Sequence, residues 1–341
     1  MQPRLNLWIR FVSKCFLLLL VVLLLVGIAY EQIGERQEHN RFPQVGRSVD
    51  IGGRSLNIYC SGEGAPTVIL DTGGSSPGYS NLVVQRQVAK FTRACWFDRA
   101  GLGWSDPSPV EQTSAAIAED LHTLLHAAGV PPPYVLIASS FSGFNVRVFT
   151  GKYPSEVAGA VLVDSVHEDQ ERYEPRATIA LVNRLPAPIR SLLCTAVPLA
   201  ARVGIVRLLL KPSQPPRNTP PGFTAEQATT LQGLESQTKS FVAAAGCNAW
   251  EKSAAQAHAA GNLGNRPLIV LTAGQPFRVG DPEIDKELAD FHDIWVHQLQ
   301  RQLAQLSTRG RQVIVEDSTH AIDPDAVLKA SREVLLEIRG N

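Results

Sequence analysis

One ten-residue stretch constrains this 341-residue chain more than any other. The apolar run Tyr134-Val135-Leu136-Ile137 passes straight into Ala138-Ser139-Ser140-Phe141-Ser142-Gly143. It reads as a strand turning abruptly into a helix, with a serine at the tip. In such a turn strand and helix pass so close that the residues two before and two after the tip must be small. That requirement sets the register. Ser139 at the tip would put Ile137 and Phe141 in the tight positions, and Ser142 would put Ser140 and Phe144 there. Ser140 alone has small neighbours on both sides, Ala138 and Ser142. A serine presented in this way is a candidate nucleophile.

The flanking chain alternates between short apolar runs and helical patterns. Arg47–Ile51 and Ser55–Tyr59 flank Gly52-Gly53 and read as an antiparallel hairpin. Thr67–Leu70, Cys95–Phe97, Tyr134–Ile137, Ala160–Val163, Leu268–Leu271 and Gln312–Val315 read as buried strands. Ser114–Ala128 places Ile117, Leu121, Leu124 and Leu125 on one helical face and stops at Gly129-Val130-Pro131. Further helices are expected after the Ser140 turn, over about Pro282–Leu306, and from Pro324 onward. Strands alternating with helices imply a largely parallel sheet. From Ser165 to Gly264 the pattern dissolves into proline- and alanine-rich amphipathic pieces, read as a helical cap inserted into the domain. A hydrophobic share of 44% supplies the core for such a domain. Zero formal net charge leaves no basic surplus for nucleic acid.

The N-terminus differs in kind. Arg4, Arg10 and Lys14 precede an unbroken apolar run, Cys15–Tyr30, and Glu31, Glu35, Arg36 and Glu38 follow it. At ~1.5 Å per residue the run covers ~24 Å, and Phe11, Val12 and a snorkelling Lys14 extend it toward a ~30 Å hydrocarbon core. Trp8 and Tyr30 stand where interfacial aromatics belong. An uncleaved membrane anchor is favoured over a cleaved signal peptide, because the run exceeds the usual ~7–15-residue signal core. The basic flank predicts a cytoplasmic N-terminus, with the rest of the chain periplasmic or extracellular. The expected organisation is an anchor over 1–30, a polar stalk over 31–46, a core over 47–164 and 265–341, and a cap over 165–264. Cys60, Cys95, Cys194 and Cys247 lie beyond the anchor, an even number in a disulfide-permissive compartment.

With these motifs in place, the chain resembles the α/β-hydrolase fold superfamily, in its capped serine esterase and epoxide-hydrolase-like branch. Asp71-Thr72-Gly73-Gly74 falls where that family has its His-Gly oxyanion loop, with Thr72 in place of the histidine. Trp96-Phe97-Asp98-Arg99-Ala100-Gly101-Leu102-Gly103-Trp104-Ser105-Asp106-Pro107 closely matches the family's D-R-x-G-x-G-x-S-D-P loop. Ala138–Gly143 is its elbow, with Ala138 and Ser142 in place of the usual glycines, and Ser318-Thr319-His320 matches its late histidine. The resemblance implies an eight-stranded, mostly parallel sheet with helices on both faces, a helical cap and one preceding transmembrane helix. It also implies that strand two lies antiparallel beside strand four, which brings Cys60 to Cys95 as a disulfide. Cys194–Cys247 is expected to pin the cap.

On the family pattern Ser140 is the nucleophile, His320 the base, and the backbone N–H groups of Phe141 and Gly74 the oxyanion donors. No carboxylate stands in Thr272–Pro276, the usual place for the acid. Asp164, ending the strand after the elbow helix, is favoured, and Asp281 is the alternative. Asp98, Arg99 and Ser105 are expected to organise the glycine loop. His122, His126, His292 and His297 read as surface or packing residues, and neither a metal nor a cofactor is expected. The implied function is hydrolysis of a carboxylic ester, thioester or amide of a lipophilic small molecule through an acyl-enzyme. The alternative is a non-catalytic binding protein on the same scaffold, motivated by the altered elbow, Thr72 and the absent acid.

Overall fold

A computed structural model describes residues 2–175, 187–209, 219–244 and 249–340. The strands are β1 (Arg47–Asp50), β2 (Ser55–Ser61), β3 (Thr67–Asp71), β4 (Ala94–Phe97), β5 (Tyr134–Ser139), β6 (Val157–Val163), β7 (Leu268–Ala273) and β8 (Gly310–Val315). They form one eight-stranded sheet in the order β1-β2-β4-β3-β5-β6-β7-β8. The pairs β1/β2 and β2/β4 are antiparallel and the rest parallel. The β1–β2 turn has Gly52 and Gly53 at positive φ, and Asp50 Oδ1 accepts from both of their N–H groups.

The helices are α1 (Gln2–Arg41), α2 (Leu82–Val88), α3 (Ser114–Ala127), α4 (Ser142–Lys152), α5 (Ala187–Arg202), α6 (Ile205–Leu209), α7 (Ala225–Glu235), α8 (Thr238–Ala244), α9 (Ala249–Ala259), α10 (Pro282–Ile294), α11 (Gln300–Ala304) and α12 (Pro324–Arg339). Alternation along β5 explains the two-sided packing. Leu136 and Ala138 enter a core with α3 and α4, while Val135 and Ile137 enter a second core with α12 on the opposite face. The helix expected over Pro282–Leu306 is interrupted by a π turn, Trp295–Leu299, between α10 and α11.

Cys60 and Cys95 are directly opposed on β2 and β4 and form a disulfide with an S–S distance of 2.03 Å. The expected Cys194–Cys247 pair lies outside the description, which omits Cys247 and the Cys194 side chain.

The segment expected as a separate stalk is helical as far as Arg41, α1 continuing to that point without a break from the apolar run. By length and composition it is long and apolar enough to cross a membrane. Its last four turns dock on α5 and α6. A Cβ on Gly27 would lie 2.3 Å from Val203 O, so only glycine admits the α5–α6 turn this closely. One and three turns further along the same face, Glu31 and Glu38 grip Arg207 of α6 at 2.9 and 2.5 Å. Glu31 and Arg207 are both buried. The heptad-like spacing 27, 31, 34, 38 therefore turns one face of α1 into a seat for the α5–α6 turn and Arg207, with Gly34 leaving room for the guanidinium.

Two measurements test this packing. Cys60→Ala with Cys95→Ala should cost ~3–4 kcal/mol in the chain-entropy model, read as a lower urea midpoint. An unchanged midpoint would contradict a closed 60–95 loop. Arg207→Ala strands a buried carboxylate, a change costing ~3–5 kcal/mol in comparable pairs. It should speed proteolysis within the cap in detergent, and wild-type protease resistance would show that the clasp is dispensable.

Candidate active site

The end of β5 is where backbone geometry departs from the ordinary. Among the described residues two non-glycine positions have positive φ, Ser140 at 53° and Asp164 at 42°. Left-handed backbone costs an L-residue roughly 1–2 kcal/mol, so the surroundings must hold it in place. They do so by joining the strand tips. Ser140 N–H donates to Val163 O at 3.1 Å, Val166 N–H donates to Ser140 O at 3.1 Å, and Asp164 N–H donates to Leu271 O at 2.7 Å. Ser140 is thereby lifted off β5 onto the N-terminus of α4.

The tight positions are filled as the steric argument requires. Ala138 is fully buried, and the Ser142 hydroxyl lies 2.8 Å from Ser139 O and 3.1 Å from Asp71 O. A hydroxymethyl thus fits where glycine is usual because carbonyls on both sides accept its hydrogen. On the opposite side, a Cβ on Gly73 would lie 2.5 Å from Ser140 Cβ. The loop after β3 therefore passes directly against the serine, with Gly74 next in line.

Asp164 ends β6, and its carboxylate is buried. Oδ2 lies 2.7 Å from His320 Nδ1, while Oδ1 accepts from Ala273 N–H at 3.0 Å and from Trp295 Nε1–H at 2.8 Å. The π turn delivers Trp295 to this oxygen, an irregularity of the kind that gathers at functional sites. His320 sits in the loop after β8, which is tied to the loop after β7 by Gln275 N–H donating to Ser318 O at 2.9 Å. The hydrogen bond to Asp164 raises the His320 pKa above 6.5, against the opposing effect of burial. Asp281, the alternative acid, instead caps α10, accepting from the N–H groups of Glu283 and Ile284. The structure thus brings His320 to Asp164 and leaves Asp281 at a helix end.

Asp98 organises the glycine loop as expected of its position. It is buried and accepts from Gly78 N–H, Asn57 Nδ2–H and Trp104 N–H at 2.6, 2.9 and 3.0 Å. Ser105 belongs to the same turn, donating to Asp98 O at 2.6 Å and accepting from Asn57 N–H. Arg99 does more than the sequence indicates. It donates to Gly74 O, lies 3.6 Å from Asp71 Oδ1, and sits over the Phe141 ring at 5.9 Å. Burial raises the Asp71 pKa and lowers that of Arg99, each partly offset by the other. Thr72, in the position usual for histidine, donates to Ser76 O at 2.7 Å and so braces the same loop. Sequence reading missed Trp295 and the reach of Arg99, since an indole on an expected helix and an arginine in a turn carry no local sign of their targets.

Comparison with known proteins bears on the fold that carries these residues. Residues 72–179 match the model for the alpha/beta hydrolase fold. The uncharacterized protein YbdG of Bacillus subtilis is 27% identical over 164 residues, 47% of this chain and 50% of that protein. The match thus spans about half the length of that relative. Among solved structures, a thermophilic esterase from Thermogutta terrifontis aligns over 86% of this chain and 99% of its own, at 19% identity and a TM-score of 0.54. The epoxide hydrolase CorEH aligns over 86% and 99%, at 17% identity and a TM-score of 0.57. At these identities the likeness is one of fold. With strand order, elbow and family match in agreement, the chain is identified as a protein of the α/β-hydrolase fold.

Proposed function

We propose that this protein is a membrane-anchored serine hydrolase that cleaves a carboxylic ester, thioester or amide through an acyl-enzyme. The observations that carry the reading are the His320–Asp164 hydrogen bond and a serine in left-handed backbone at the tip of the elbow. His320 takes the Ser140 proton as Oγ attacks the substrate carbonyl, and Asp164 holds the imidazole with its Nδ1 protonated. The N–H groups of Phe141 and Gly74 receive the oxyanion, one such donor being worth ~3–4 kcal/mol in related chemistry. His320 then passes the proton to the leaving group, and water attacks the acyl-serine by the reverse route. A serine nucleophile separates this chemistry from the aspartate-based epoxide hydrolases and dehalogenases that share the fold.

A lipophilic small-molecule substrate follows from the surroundings of the cap. Leu192, Leu199, Leu208 and Leu209 are exposed there, and the cap is seated on the anchor across the end of its apolar run. The basic N-terminal flank supports a cytoplasmic N-terminus and a catalytic domain on the far side of the membrane.

Fluorophosphonate labelling of the detergent-solubilised protein tests the nucleophile. Label should disappear in Ser140→Ala and slow by ~10³-fold or more in His320→Ala. A folded wild type that takes no label would favour the non-catalytic binding reading instead. The pH profile tests the acid. Only neutral His320 accepts the serine proton, so a raised pKa predicts kcat/KM climbing with pH through a limb above 6.5. Asp164→Asn should shift that limb to lower pH and reduce kcat by ~10³–10⁴-fold. A loss of only a few-fold with an unmoved limb would remove Asp164 from the mechanism.

A further inference from the structure

His122 and His126 are one turn apart on α3, and Glu156 follows 30 residues later in the short 3₁₀ turn Pro154–Glu156. Nothing in their sequence spacing marks them as a set. In the folded chain both Nε2 atoms lie 3.1 Å from the same oxygen, Glu156 Oε1, with the two ring centroids 4.3 Å apart. All three donor atoms fall within 4.8 Å of one another. The two histidines, read from the sequence as surface or packing residues, thus converge on one carboxylate. The fold supplies the third donor by laying the turn before β6 against the last turns of α3.

We propose that His122, His126 and Glu156 form a binding site for a divalent transition metal of the zinc type. Two imidazoles and a carboxylate are a donor set suited to zinc, with a fourth position left for water. A tetrahedral centre with ~2.0–2.1 Å bonds separates its donors by ~3.3 Å, and two of the three separations here are 3.1 Å. The donors are also held in place. The His122 ring stacks on Tyr153 with centroids 3.8 Å apart and planes 9° apart, which fixes the direction of Nε2. Glu156 is largely buried, and its second oxygen, Oε2, is enclosed with no hydrogen-bond partner, a loose end that coordination of the carboxylate would relieve. His126 is half exposed and leaves the site open to solvent.

The site stands at the start of β6, whereas Asp164 follows its end, so the two are ~23 Å apart along the strand. A metal here is not positioned to act on the Ser140 centre. It would tie α3 to the turn between α4 and β6, and its effect would be on stability.

Titration of the metal-stripped, full-length protein in detergent with zinc chloride tests the site, read by a competing chromophoric indicator and by thermal unfolding. Wild type should bind with a saturable transition and a raised Tm. Even indirect supports of a metal site are worth ~10–100-fold in affinity, so His122→Gln and Glu156→Gln should each weaken binding at least ~10-fold and abolish the Tm shift. His297→Gln, which removes a surface histidine beside Asp293, serves as the control and should bind as wild type does. No saturable binding, or binding undiminished in both variants, would overturn the proposal and leave a carboxylate hydrogen-bonded to two imidazoles.

Discussion

The architecture depends on holding one serine in a backbone conformation it would not choose. Ser140 has φ at 53° because its N–H and C=O are both claimed by the neighbouring strand's end, at Val163 and Val166. Those two bonds fuse the tips of β5 and β6, and the next bond, from Asp164 N–H to Leu271 O, carries the fusion on to β7. The same zipper that strains Ser140 also turns Asp164 into left-handed backbone and aims its carboxylate across β7 at His320. Strain at Ser140 and placement of the Asp164 carboxylate are therefore one structural event. The almost wholly buried strands β5, β6 and β7 give the sheet the rigidity to sustain it.

A second coupling links this centre to the apolar helix α1. Glu235 of α7 accepts from Ser76 Oγ at 3.2 Å, so the cap reaches the loop that Thr72 and Arg99 brace. The cap in turn is held to α1 through Arg207 and the Gly27 contact. A continuous set of packed elements thus runs from the apolar helix to the loop beside Ser140. Burying Arg207 with two carboxylates makes that junction specific in geometry, since each charge depends on the others for its compensation.

Much of the core was legible because its signals are local. Small residues at 138 and 142, a hairpin with two glycines, and apolar runs ending in turn residues each express a steric or periodic requirement that the fold meets at the same place. The limits of the π turn were not legible, since α10, Trp295–Leu299 and α11 share one apolar periodicity. Nor was the continuity of α1. Polar residues after Tyr30 read as a stalk, whereas Glu31 and Glu38 are the polar contacts of a helix docked on a neighbour.

The sequence by itself determined the elbow and its register, the apolar N-terminal helix, the alternation that makes a parallel sheet, and the two cysteines of one disulfide once the family likeness was seen. Each follows from spacing over a few residues, or from a motif whose order along the chain is its meaning. Only the tertiary structure decided which carboxylate meets His320, which indole secures it, and that two histidines and a glutamate share one oxygen. These pairings join residues 30 to 156 positions apart. Their distances depend on how strands stack and helices cross, and no local pattern encodes that sum.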